Sequence, residues 1–116
     1  MKSLINKFIK KSNSYSGSLE NTNWNINYNN SEKIVFEFET YPNGNAKFQE
    51  GTTIINNAFK YYEYGPSFWV VLNDENNPDA FTMYEGSFSS GSGSGKMVLG
   101  MASDTIITHF TMNKAS

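Results

Sequence analysis

From Leu19 onward the chain keeps to a period of two. Trp24, Ile26 and Tyr28 alternate with Asn23, Asn25 and Asn27, and Ile34, Phe36 and Phe38 alternate with Val35, Glu37 and Glu39. Successive side chains of a strand point to opposite faces, so this is the signature of strands with one face covered. Further strands are expected around Ala46–Gln49, along "TTIINNAFKYYEY" (where Ile55, Phe59 and Tyr61 share one parity), along "SFWVVLN", from Phe81, from Met97 to Ala102 and from Ile106 to Asn113. "SFWVVLN" is apolar at both parities and reads as a strand covered on both faces. "NNS", "YPNG", Gly51 and "DENNPD" supply the turns between them.

About eight short strands, with a turn signal every 8–14 residues or so and no helical pattern between them, require antiparallel hairpins, because parallel strands need long crossovers. Closing such a set into a ring removes exposed strand edges and leaves an interior just wide enough for side chains or one small ligand. The predicted fold class is therefore all-β, an up-and-down antiparallel barrel of about eight strands. A two-sheet sandwich fits the same pattern less neatly.

Before the alternation begins, Leu4, Ile5, Phe8 and Ile9 recur at helical spacing with lysines opposite. The spacing predicts a short amphipathic helix within residues 1–14, a Ser/Gly linker at 15–18 and the barrel over 19–116. The basic opening resembles that of a signal peptide, but Asn6 and Lys7 interrupt its apolar stretch and no small-residue cleavage site follows. Retention of the segment and a cytosolic location are the expectation. No window holds enough apolar residues for a membrane-spanning helix, and one stripe of four is short for an interfacial anchor. The stripe is expected to lie on the barrel itself or to dock on another protein.

Composition narrows the chemistry. Four lysines fall in the first eleven residues, leaving five against eleven acids in the remainder, and arginine is absent. An acidic body without arginine is a poor partner for nucleic acid, where phosphate contacts dominate affinity. The absence of cysteine excludes disulfides and thiolate ligands, and the single histidine, His109, excludes a His-rich zinc site.

The first strand, "SLENTNWNINY", resembles that of lipocalin-like and avidin-like barrels, in which a tryptophan just inside strand one closes the bottom. "IVFEFETYPNGNAKF" is similar to the hairpin common in small bacterial lipocalin-like domains, and "HFTMNK" suits their last strand. The resemblance spans residues 19–114. It implies a barrel binding a small apolar molecule, with Trp24 structural. The family pattern has Gly-x-Trp where this chain has Thr22-Asn23-Trp24, and an arginine on the tryptophan where Lys114 is the nearest cation.

"SSGSGSGK" (Ser89–Lys96) ends like a phosphate-binding loop, but Ser90 stands where the first glycine belongs, Met97 replaces the magnesium-binding hydroxyl, and a strand follows instead of a helix. It is expected to be a flexible hairpin tip at the barrel mouth. Asp74 and Asn76 of "DENNPD", with Glu85 beyond it, have calcium-loop spacing, but Pro78 and Asp79 occupy positions that need a ligand and a glycine. Glu37 and Glu39 share the water-facing parity, and His109 faces out, so no catalytic set is expected. Asn29-Asn30-Ser31 is a glycosylation sequon only in a secretory pathway.

The densest aromatic stretch, "FKYYEYGPSFW", carries the binding expectation. Phe36, Phe38, Phe59, Tyr61, Phe68 and Met83 are the candidate lining of an interior ligand site. Leu4, Ile5, Phe8, Ile9, Tyr62, Tyr64 and Trp69 are the candidate contacts of a protein partner or a second copy. The expected function is non-catalytic binding of a small hydrophobic molecule, without metal or cofactor; the alternative is an interaction protein docking through its basic helix and surface aromatics.

Overall fold

The structure, a computed structural model, describes residues 19–28, 33–73, 81–101 and 104–115. The helix and linker expected over 1–18, the "DENNPD" loop and the "NNS" sequon lie outside the described residues. Within them there is no helix. Eight strands follow in order: β1 (Thr22–Asn27), β2 (Lys33–Phe38), β3 (Asn43–Glu50), β4 (Thr53–Tyr64), β5 (Ser67–Asn73), β6 (Phe81–Ser89), β7 (Ser92–Met101) and β8 (Asp104–Lys114). Each pairs antiparallel with the next, and β8 returns to β1 through Trp24↔Lys114 to Asn27↔Thr111, so the sheet closes into a barrel. The sandwich is thereby ruled out.

The register is uninterrupted in every pair, so inward and outward parity persists around the ring. One row runs Thr22, Phe38, Gly44, Phe59, Leu72, Thr82, Leu99, Ile106. It starts at one end of β1 and finishes at the other end of β8, so closure returns it about ten residues further along β1, the stagger that a tilted barrel needs. The turns β2–β3, β4–β5 and β6–β7 gather at one end with Leu19 and Lys114. Gly51 in the β3–β4 turn lies at the other end, where its φ of +61° favours glycine.

The core is aromatic. Trp24, Phe36, Phe38, Tyr61, Phe68 and Tyr84 are fully buried. Their rings meet edge to face, with centroids 4.8 Å apart for Phe36–Tyr84, 4.9 Å for Phe38–Tyr61 and 5.5 Å for Phe38–Phe59, the arrangement that ring quadrupoles prefer. Space comes from small residues in the same rows. Gly44 lies between Phe38 and Phe59, Ala46 beside Phe36, and Gly86 and Gly95 lie between Phe68 and Phe110.

The Gly/Ser run is not a flexible tip at the mouth: only Ser90 and Gly91 turn, at the end that Leu19 and Trp24 close, and Ser92–Lys96 is regular β7. Gly93 and Gly95 take the inward parity and Ser92 and Ser94 the outward one. "SFWVVLN" is covered on one side only. Phe68, Val70 and Leu72 are buried while Trp69 and Val71 are half-buried outside, because a closed barrel offers its strands a single interior.

A Cβ built on Gly95 would sit 2.0 Å from the Glu85 carbonyl oxygen and 2.6 Å from the Gly86 Cα. Backbone cannot yield as a side-chain tip does, so Gly95→Ala is expected to lower unfolding free energy by on the order of 2 kcal/mol. Chemical denaturation of both proteins checks this; equal midpoints would refute the close approach.

Candidate functional site

The closed end is built by residues with buried polar groups that find partners. The Trp24 indole N–H donates to Thr22 Oγ1 at 2.9 Å, and the Thr22 hydroxyl donates in turn to the Leu19 carbonyl. Thr22 thus supplies the acceptor for the indole N–H. The ring against Trp24 is Phe88, at 5.9 Å. Lys114 is the register partner of Trp24 and is exposed; its backbone N–H donates to Gly91 O at 2.8 Å, tying β8 to the β6–β7 turn.

Beside this knot lies Glu63, which shares the inward parity of Phe59 and Tyr61 and is only 7% exposed. Its Oε1 has no hydrogen-bond partner among the described residues. Burial pushes its carboxyl up to about 7, opposed by a hydrogen bond from the Leu19 backbone and assisted by the Glu20 carboxylate. Glu20 Oε2 accepts the Tyr41 N–H at 2.9 Å, and the Tyr61 hydroxyl donates to Glu39 O at 2.9 Å. Burial and the Glu63 charge hold the Tyr61 phenol well above its ordinary value. The parity of Glu63 is legible in the sequence of β4, but nothing in the alternation says that a charged member of an apolar row stays inside.

The opposite end is different. Ile55 and Ile106 have inward parity, yet they are 55% and 49% exposed. They belong to β4 and β8, which stand opposite each other in a ring of eight. Phe48, packed on the core, and half-buried Leu99 hold the equivalent positions on β3 and β7. Below these exposed apolar side chains lies the aromatic core.

The sequence-predicted residues therefore separate. Phe36, Phe38, Phe59, Tyr61 and Phe68 come together inside, where their rings pack on one another. Met83 does not join them. It takes the outward parity of β6, in a row with Val71, Val98 and Ile107, because buried Tyr84 beside it sets the phase of the strand. Tyr62 and Tyr64 are exposed on the outside of β4, and Trp69 is half-buried across from Tyr62. Leu4, Ile5, Phe8 and Ile9 lie outside the described residues. Glu37 faces out and pairs with Lys47 at 3.2 Å. Among the described residues no three acidic or histidine side chains gather around a metal position. Comparison with protein-family models, curated proteins and solved structures finds no match for this chain.

Glu63 makes the folding equilibrium proton-dependent. Its folded-state pKa lies above its ordinary 4.5, so the folded protein keeps a proton that the unfolded chain releases. The associated stability is full below about pH 4.5 and is lost as pH rises through about 7. Glu63→Gln should therefore match the parent at pH 4 and exceed it at pH 8 by on the order of 2 kcal/mol. Denaturation across that range tests it; a pH-independent difference would remove Glu63 as the titrating group.

Proposed function

We propose that this barrel is a lipocalin-like, non-catalytic binder of a small apolar molecule, held at the open end above the packed rings. The observation that carries this reading is the exposure of Ile55 and Ile106 at inward-facing positions on opposite strands. An apolar side chain that points into a barrel and still meets water gains by being covered, at about 25 cal/mol per Å². Phe36, Phe38, Phe59, Tyr61 and Phe68 then form the floor of the site and not its walls, because their faces are already taken by one another. A shallow rim over a filled core suits a small or partly inserted ligand and disfavours a bulky one.

Titration with cis-parinaric acid, followed by fluorescence and by native mass spectrometry, tests the reading. The parent should bind saturably, and Ile55→Glu and Ile106→Glu should each weaken binding by at least about tenfold, the cost of losing one apolar contact of roughly 1.4 kcal/mol. Binding that is unchanged in both variants would exclude the rim.

A second reading, a barrel that docks on a protein partner or a second copy, has its own observation. The outward row Val71, Met83, Val98, Ile107 is apolar across four strands, and Ile107 is 56% exposed. If this face mediates self-association, Ile107→Lys will convert a concentration-dependent elution profile into that of a monomer. A parent that is monomeric at all concentrations removes the second copy as its occupant.

A further inference from the structure

The outer face of β5–β8 carries a groove of about 760 Å³, within the size range of small-molecule sites. The register determines what lines it. One outward row is Ser67, Ser87, Ser94 and Thr111, four hydroxyls side by side on four strands. The adjacent outward row is Trp69, Glu85, Lys96 and His109. Between them the main chain of Gly86 and Gly95 forms part of the floor. Short hydroxyl side chains along one side and an indole at the end of the other leave a trough on a surface that would otherwise be convex.

The donor set selects a ligand class. Lys96 Nζ lies 3.7 Å from Glu85 Oε1, so the two formally charged side chains in the groove pair with each other and their charges sum to zero. The lining mixes hydroxyls, a carboxylate, an ammonium and an imidazole with apolar surface from Trp69, Phe110 and the two glycines, and under a wholly apolar ligand each polar group would have to give up its water without replacement. The mixture suits a molecule dense in hydroxyls that both donate and accept. The half-buried indole of Trp69 adds aromatic surface to the lining, and exposed Tyr62 is its register partner on β4.

A neutral ligand with hydroxyls around its edge and an apolar C–H face is a sugar ring, and an open trough accepts a chain of them. We infer that the groove over Trp69 and the Ser67–Ser87–Ser94–Thr111 row is a binding site for a neutral oligosaccharide, separate from the apolar rim.

The test is isothermal titration and tryptophan fluorescence of the full chain with hexasaccharides of glucose, xylose, mannose and N-acetylglucosamine. Trp24 is fully buried at the closed end, so a ligand-dependent change reports Trp69. Saturable binding of at least one hexasaccharide is expected, weakened at least about tenfold in Trp69→Ala by calorimetry, as loss of that aromatic surface implies. Ser87→Arg, which fills the trough from the solvent side without touching the core, should abolish the same binding. Ile55→Glu should leave it intact, which separates this site from the rim: failure of the rim reading leaves the sugar titrations unaffected, and the converse holds. No response to any of the four hexasaccharides, or binding that survives both Trp69→Ala and Ser87→Arg, overturns the inference.

Discussion

A closed ring of eight strands has room inside for only so much ring volume, and this chain puts aromatic side chains into almost every inward row. Small residues beside them resolve the conflict. Phe59 lies over Gly44, where an added Cβ would come within 2.2 Å of its ring. Phe68 and Phe110 reach toward each other, centroids 6.5 Å apart, across Gly86 and Gly95. Phe88 has Gly93 beside it, and Phe36 has Ala46. A larger residue at any of these places would displace a ring or the neighbouring backbone, and interiors packed to crystal density absorb little such change.

The same glycines shape the outside. Where Gly86 and Gly95 approach most closely, β6 and β7 leave main chain accessible on the outer surface, and the serines that alternate with the glycines face solvent in one row. One repeated dipeptide thus meets two demands, space for rings within and a hydroxyl band without. The two ends of the barrel divide in a similar way. One is closed by Leu19, Trp24 and a hydrogen-bonded threonine, and it holds the buried Glu63 carboxyl; the other leaves inward isoleucines in contact with water.

Much of the barrel was legible in particular residues. The alternations Trp24–Tyr28, Ile34–Phe38 and Ile106–Asn113 placed three strands in the correct phase, since a one-residue slip would turn a whole apolar set to water. In "SGSGSGK" glycine and serine mark a turn, yet the glycines recur every second residue, which is itself a strand period. The inward positions of Phe36, Phe38, Phe59, Tyr61 and Phe68 followed from parity, but parity carries no information on whether rings enclose space or fill it. Both parities of "FTMYEG" offer apolar residues, and only burial of Tyr84 decides that Met83 faces outward.

By itself the sequence determined the class of fold, the number of strands and the faces of most of them, because those follow from local periodicity and from turns that need special backbone geometry. Tertiary structure alone decided which residues share a row. That alignment depends on registers between strands distant in sequence, such as β1 with β8, and local pattern does not encode it. It brought Glu63 beside Leu19 and Glu20, left Ile55 and Ile106 exposed on opposite strands, and gathered four hydroxyls into a line beside Trp69.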